Sequence, residues 1–365
     1  YAWHIMIGIY LCGKEEAHMK QEILARTIIE TMINKSLRDI ERDPDRSIRN
    51  LIDLGINFAK GRFQREFLQV LQEMMQNEQS AYYTLVKNLV SGTDHRRLKT
   101  MGMNIGFQAC TVGATMIREY EDRFLFNIPW IYQVDFGGSG LPCKDLDKLI
   151  RQGKELGTFV YLLNSAGPVT DAHIAVMKKH GDCAFVLLVT AEEILGDLMN
   201  SLKNIHNCLI LVENDEDLVM EAADELRKHA FLYGTYALCP DAGGERYFTP
   251  AYLDQTAASG AAFLLLMPDK RFSFREDPFR RDETGRIRRQ QEYPFIPMDF
   301  ASDVQRIDRV ISNDSCAVAF DAEGYVYTET GKWQDSSCNI RSSDLKDILN
   351  KVTKKSKNPN GKDSV

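Results

Sequence analysis

Asp135, Asn164, Ser165, Thr190, Glu213, Asn214 and Met267 stand where apolar, β-rich runs of the sequence come to an end. In α/β folds such strand ends gather the chemistry, and carboxylates there can act as acid, base or hard-cation ligand. The competing explanation is local. Glu192, Asn214 and Asp215 also open helical stretches, where they would cap the helix and complement its dipole. Asp135 and Glu213 are explained less readily that way, because they belong to runs that should be buried. Other reactive residues are scattered. No two of Cys12, Cys110, Cys143, Cys183, Cys208, Cys239, Cys316 and Cys338 lie within four residues of each other, which excludes zinc ribbons and CxxxCxxC cluster loops. They read as buried free thiols in a reducing cytoplasm. His95, His173, His180 and His229 form no HxxxH or HxH pair, so no metal site is expected from them. There is no GxSxG elbow and no GxxxxGK[ST] loop, and DAGGERY at Asp241 to Tyr247 reads as a plain turn.

Positioning strand-end residues requires a sheet, and the pattern supplies one from Phe126 onward. The runs IPWIYQVDF, GTFVYLLN, CAFVLLV, CLILVE, FLYGTYALC and AAFLLLM read as buried strands. Amphipathic KDLDKLIRQGKEL, TDAHIAVMKKH, AEEILGDLMNSL, DEDLVMEAADELRKH and TPAYLDQTAAS alternate with them. That alternation predicts an α/β fold with a parallel sheet covered by helices. Periodicity does not decide between a curled partial barrel and a doubly wound sheet. Upstream, helical spacing covers Glu15 to Glu41, Arg46 to Ala59, Gln64 to Gln76, Ala81 to Leu89 and Leu98 to Tyr120. Gly102, Gly106 and Gly113 weaken the last of these, at about 1 kcal/mol each in a helix interior, but suit close helix packing. Downstream, RRDETGRIRRQ at Arg280 to Gln290 is expected to be a solvated loop, and SCAVAFDAEGYVYTETG a β-hairpin turning at Ala322 to Gly324. The expected organisation is a helical region over 1–125, a barrel with its extension over 126–350, and a disordered tail over 351–365. The net charge of −7 gives no bulk-charge reason to bind nucleic acid. The opening YAWHIMIGIYLCG is too short to span a bilayer and reads as a packed element, with membrane contact left open there alone.

Several longer words carry a resemblance: NIPW (127–130), RQGKELGT (151–158), HGDCAF (180–185), LYG (232–234), MP (267–268), PMDF (297–300) and CNIRSSDL (338–345). In this order and spacing, the chain from about Asn127 to Asn350 resembles radical S-adenosylmethionine (SAM) proteins, nearest to the hopanoid-biosynthesis type. The resemblance implies a partial (β/α)6 barrel with ligands at the C-terminal strand ends, an N-terminal helical region and a C-terminal hairpin extension. It also implies a [4Fe–4S] cluster on three CxxxCxxC thiolates, with SAM on the fourth iron.

The sequence departs from the family at the places that matter for that chemistry. After Asp135 only GGSGLP precedes the next helix, and Cys143 stands alone near the helix start. Where the family has a glycine pair and a glutamate holding the SAM amino group, this chain has Asn164-Ser165-Ala166-Gly167-Pro168. Glu329 occupies the place of the subgroup's hairpin cysteine. The expectation is therefore a non-catalytic radical SAM-like protein, a partner or sensor, without cluster or SAM. Its partner is expected to be another protein, such as an intact radical SAM relative. An enzyme of different chemistry at the barrel mouth, or a cluster on unusual ligands, are the alternatives.

Overall fold

A computed structural model describes residues 26–40, 43–58, 69, 72–214, 218–240, 244–312 and 314–355. The opening apolar stretch with Cys12, most of the expected Gln64 to Gln76 helix, Asp215, the start of DAGGERY and the end of the tail lie outside these residues.

The six expected strands form, in order and all parallel: β1 Ile131–Phe136, β2 Val160–Ser165, β3 Ala184–Val189, β4 Cys208–Glu213, β5 Tyr233–Cys239 and β6 Phe263–Pro268. Their near-continuous burial is what a sheet covered on both faces demands. Two short strands extend it. β7 Ile296–Asp299 joins β6, and β8 Val318–Phe320 joins β1, both parallel. From β8 the chain turns back as β9 Val326–Thr328 and β10 Gly331–Lys332, which is the expected hairpin. The strand order is β10-β9-β8-β1-β2-β3-β4-β5-β6-β7.

Register assigns the two faces. Tyr132, Val134 and Phe136 align with Tyr161, Leu163 and Ser165. The Tyr161 hydroxyl donates to the Ile150 carbonyl, and the Phe136 ring meets His173, so this face looks at helices Cys143–Leu156 and Asp171–Lys179. Gln133 and Asp135, with Leu162 and Asn164, therefore face the concave side. The sheet is strongly curled. In a flat sheet β1 and β6 would stand five spacings, about 24 Å, apart. Yet Arg271, three residues beyond β6, forms an ion pair with Asp135 at the end of β1. The open seam between β7 and β8 is filled by helix Phe300–Ile311, whose Asp308 and Val304 accept from the backbone and indole N–H of Trp130. The fold is thus a partial α/β barrel.

The helical region upstream forms the floor of this barrel. The expected Leu98 to Tyr120 helix is continuous but changes pitch: helix His95–Gly102, a π-helical turn region Met103–Gly113, then helix Ala114–Phe124. The glycines sit at this distortion. Gly113 lies against Gly157, where an added Cβ would stand 2.3 Å from the Gly157 carbonyl oxygen. Asn104 donates to the carbonyls of Gly181 (2.9 Å) and Cys183 (2.7 Å) at the entrance to β3. Arg97 donates to Ile205 and Lys203 before β4, and to His229 and Ala230 before β5. These side chains satisfy carbonyls that the strand starts leave unpaired.

Two expectations need correction. The arginine-rich segment is not a solvated loop but helix Pro278–Gln290, with Asp277 accepting from the Phe279 and Arg280 amides as N-cap. Arg280 is buried and donates to Asp299 at 2.6 Å, and Arg288 meets Asp303 at 2.7 Å. Its acids come from the next strand and helix, so local charge counting misses them. Residues 351–355, assigned to the tail, are also ordered. Helix Leu345–Val352 continues into Thr353, which donates to the Asn127 carbonyl at 2.6 Å, and Lys355 pairs with Glu121.

Candidate functional site

The C-terminal ends of the strands form the barrel mouth, and its first turn is tightly closed. After Phe136 the chain folds back through Gly137 to Leu141: Gly140 N–H donates to the Gly137 carbonyl, and Leu141 N–H to that of Asp135, both at 2.9 Å. The turn is also bonded to the one after β2. Gly138 N–H donates to Pro168 (2.9 Å), Ser139 N–H to Ala166 (2.8 Å), and Ala166 N–H to Phe136 (2.6 Å). Glycines make the approach feasible. Gly137 has φ +97°, and a Cβ there would meet the Gly167 carbonyl oxygen at 2.3 Å. His173 locks the turn from the side: its Nδ1 accepts from Thr170 N–H at 3.1 Å, while its ring also hydrogen-bonds the Gly137 backbone. Burial pushes the His173 pKa below the ordinary histidine value. Cys143 opens the following helix half-buried, and burial raises its thiol pKa.

Beside this turn stand two carboxylates on neighbouring strands. Asp135 is buried, accepts from Ala322 N–H at 3.0 Å and pairs with Arg271. Asp321, one residue beyond β8 at the same level, is also buried. It accepts from Tyr325 N–H at 2.8 Å and meets Lys332 Nζ at 3.2 Å. The Lys332 ammonium lies 4.2 Å from the Tyr325 ring centre. Each acid thus has its own cation. The segment after β6 that carries Arg271 continues inward: the Phe272 ring lies 4.9 Å from Tyr327, and Phe274 is buried against Phe300. Phe272 adopts φ 54°, an unusual conformation for a bulky residue, and its burial holds it there.

The remaining strand-end residues divide. Asn164 faces the mouth and accepts from Gln133 Nε2 at 3.1 Å, while Gln133 Oε1 is buried without a partner. Glu213 and Met267 share that concave face by register, and Glu213 accepts from the Tyr236 hydroxyl at 3.3 Å. Ser165 leaves the mouth and donates to Glu193. Thr190 is a helix N-cap, exchanging bonds with Glu193 in a capping box. Asn214 is buried and donates to Thr256 at 2.9 Å, so it ties β4 to helix Pro250–Ala258 rather than capping its own helix. Among the described residues, no three or more His, Cys, Asp or Glu side chains are grouped to hold a metal ion. Arg271, Asp321 and Lys332 are not at the ends of long apolar runs and were not expected at the mouth. Arg271 lies in a polar stretch without periodicity, and Asp321 follows a strand of three residues. The available signal was Asp321 itself, which follows the apolar run AVAF much as Asp135 stands near the end of IYQVDF.

No family model matches the chain, and no curated protein matches it. Among solved structures, the crystal structure of Streptococcus suis SuiB bound to precursor peptide SuiA aligns with 63% of this chain and 67% of that chain. The TM-score is 0.48 and the identity 10%. SuiB bound to S-adenosylmethionine aligns with 65% of this chain and 67% of its own, with TM-score 0.44 and 11% identity. Likeness this loose establishes neither family nor activity.

Proposed function

We propose that this chain is a non-catalytic radical SAM-like protein whose barrel serves as a partner or sensor for another protein. One observation carries the reading: the turn after β1 is closed onto the turn after β2 by backbone hydrogen bonds. A cluster loop must leave the strand, present three thiolates and return. Here the turn is followed by a single half-buried thiol, Cys143, and leaves no room between residues 137–140 and 166–168. The residues present do not fit a [4Fe–4S] cluster. Nor do they fit the amino acid end of SAM. Gly167 brings no carboxylate, and the acids at the ends of β1 and β8, Asp135 and Asp321, are engaged by Arg271 and Lys332. The ordered words of the radical SAM resemblance lie mostly in helices and strand starts, where they support packing and an outer surface. Among the described residues no helix is long and apolar enough to cross a membrane.

The test is anaerobic reconstitution with iron and sulfide, followed by metal analysis and SAM calorimetry. The expected outcome is colourless protein with no retained iron and no saturable SAM heat. Stoichiometric iron and sulfide would overturn the reading, as would tight SAM binding. Crosslinking in native extract then addresses the partner, and a strictly monomeric protein with no specific crosslink would remove the partner role.

A further inference from the structure

At the barrel floor, away from the mouth, lies a cavity of about 200 Å³ between the starts of β4 and β5 and helix His95–Gly102. Arg97 forms its inner wall. Only 6% exposed, its guanidinium donates to Lys203 and Ala230 at 3.0 Å, His229 at 2.9 Å and Ile205 at 3.2 Å, and stacks 3.7 Å from the Phe231 ring centre. Carbonyls satisfy its N–H groups, and among the described residues no carboxylate forms a direct ion pair with it. A buried cation without a direct carboxylate contact is costly; burial lowers the Arg97 pKa, and the charge of Asp94 offsets part of this.

The other walls add one ammonium and one imidazole. Lys203 and His206 line the cavity, and His206 also feels Arg96 and Lys178. Burial first, then these cations, lowers its pKa. Two acids are near. Asp94 itself lines the cavity; its carboxylate accepts from the Arg97 backbone N–H at 3.0 Å and acts electrostatically on the Arg97 guanidinium. Glu225 is held by His229 (2.9 Å) and Lys228 (3.2 Å). Arg97 and Lys203 set against Asp94 still leave the cavity net cationic, in a concave space larger than a single oxyanion.

We propose that this floor cavity binds a phosphate-type dianion, held by Lys203, His206 and the charge of Arg97. The dianion neutralises the buried guanidinium and accepts from the lysine ammonium and the imidazole. Because it touches the entrances of both β4 and β5, occupancy stabilises the floor. The proposal stands independently of any reading of the mouth.

The test is calorimetry on the full chain with inorganic phosphate, and separately with glycerol phosphate, against chloride at equal ionic strength. Saturable 1:1 binding is expected. Lys203→Gln and His206→Gln should each weaken it about three- to tenfold, while Lys351→Gln, on the far C-terminal helix, leaves it unchanged. The His206 ring resonance should titrate at higher pH with phosphate present than without it. Comparable affinity for glycerol phosphate assigns a phosphate monoester, and binding of inorganic phosphate alone assigns the free ion. Binding of neither, or equal binding by the Lys203 and His206 variants, overturns the proposal.

Discussion

Gly137→Ala tests whether the closed mouth turn is a required geometry or a passive one. At φ +97° an L-residue costs about 1–2 kcal/mol over glycine. The new Cβ would stand 2.3 Å from the Gly167 carbonyl oxygen, which is backbone and cannot rotate aside. Relief requires the two turns to separate. That strains the bonds from Gly138 to Pro168 and from Ser139 to Ala166, each worth about 0.5–1.5 kcal/mol net. Together the expected loss is about 2–5 kcal/mol. Urea unfolding measures it as a lowered midpoint at unchanged slope. Gly106→Ala is the internal control, since its Cβ meets nothing within 4 Å and φ there is not positive. It should be neutral or stabilising, by up to about 1 kcal/mol. A Gly137→Ala midpoint equal to wild type would show that the turn opens freely, and would remove the geometric argument against a ligand there.

Other perturbations probe the corrected elements. Arg280→Met leaves Asp299 buried and unpaired, and should cost about 3–5 kcal/mol in urea unfolding; adding Asp299→Asn should restore part of it. Arg97→Lys keeps the charge but cannot reach four carbonyls, and should lose about 1–3 kcal/mol. For His173 the folded pKa is depressed by burial, so the unfolded chain binds the proton more readily. Its contribution is complete above about pH 6.5 and is lost as pH falls through and below that value. Thermal melts between pH 7.5 and 5 should show a shallower acid loss in His173→Gln than in wild type.

The six central strands were legible because each is an apolar run of at least four residues, with its neighbours supplied in sequence order. β7, of four residues, gave too little period to read; β8 was read as a hairpin strand, but its parallel pairing with β1 was not foreseen. Helix Pro278–Gln290 was hidden for a different reason. Its hydrophilic arginines find Asp299 and Asp303 only after folding, and no local pattern encodes a partner met in three dimensions. At the mouth, Asp135, Asn164, Glu213 and Met267 were placed on one face, as strand ends predict. Ser165, Thr190 and Asn214 were diverted by helices that compete for the same hydroxyl and amide groups. The floor role of the upstream helices was not legible, because it depends on carbonyls left over at strand starts far along the chain.

The pairing of β8 with β1 has a consequence for the order of folding. Ala322, which donates to Asp135, lies 187 residues downstream of it. At a synthesis rate of about 5–20 residues per second, β1 waits about 10–40 s for its second neighbour. Throughout that interval IYQVDF, already paired with β2 on one side, presents an unpaired apolar edge on the other. The nascent chain is then most open to intermolecular strand addition. The same edge would persist in any product ending before Val318, so such truncations should aggregate even though the six-strand core is complete.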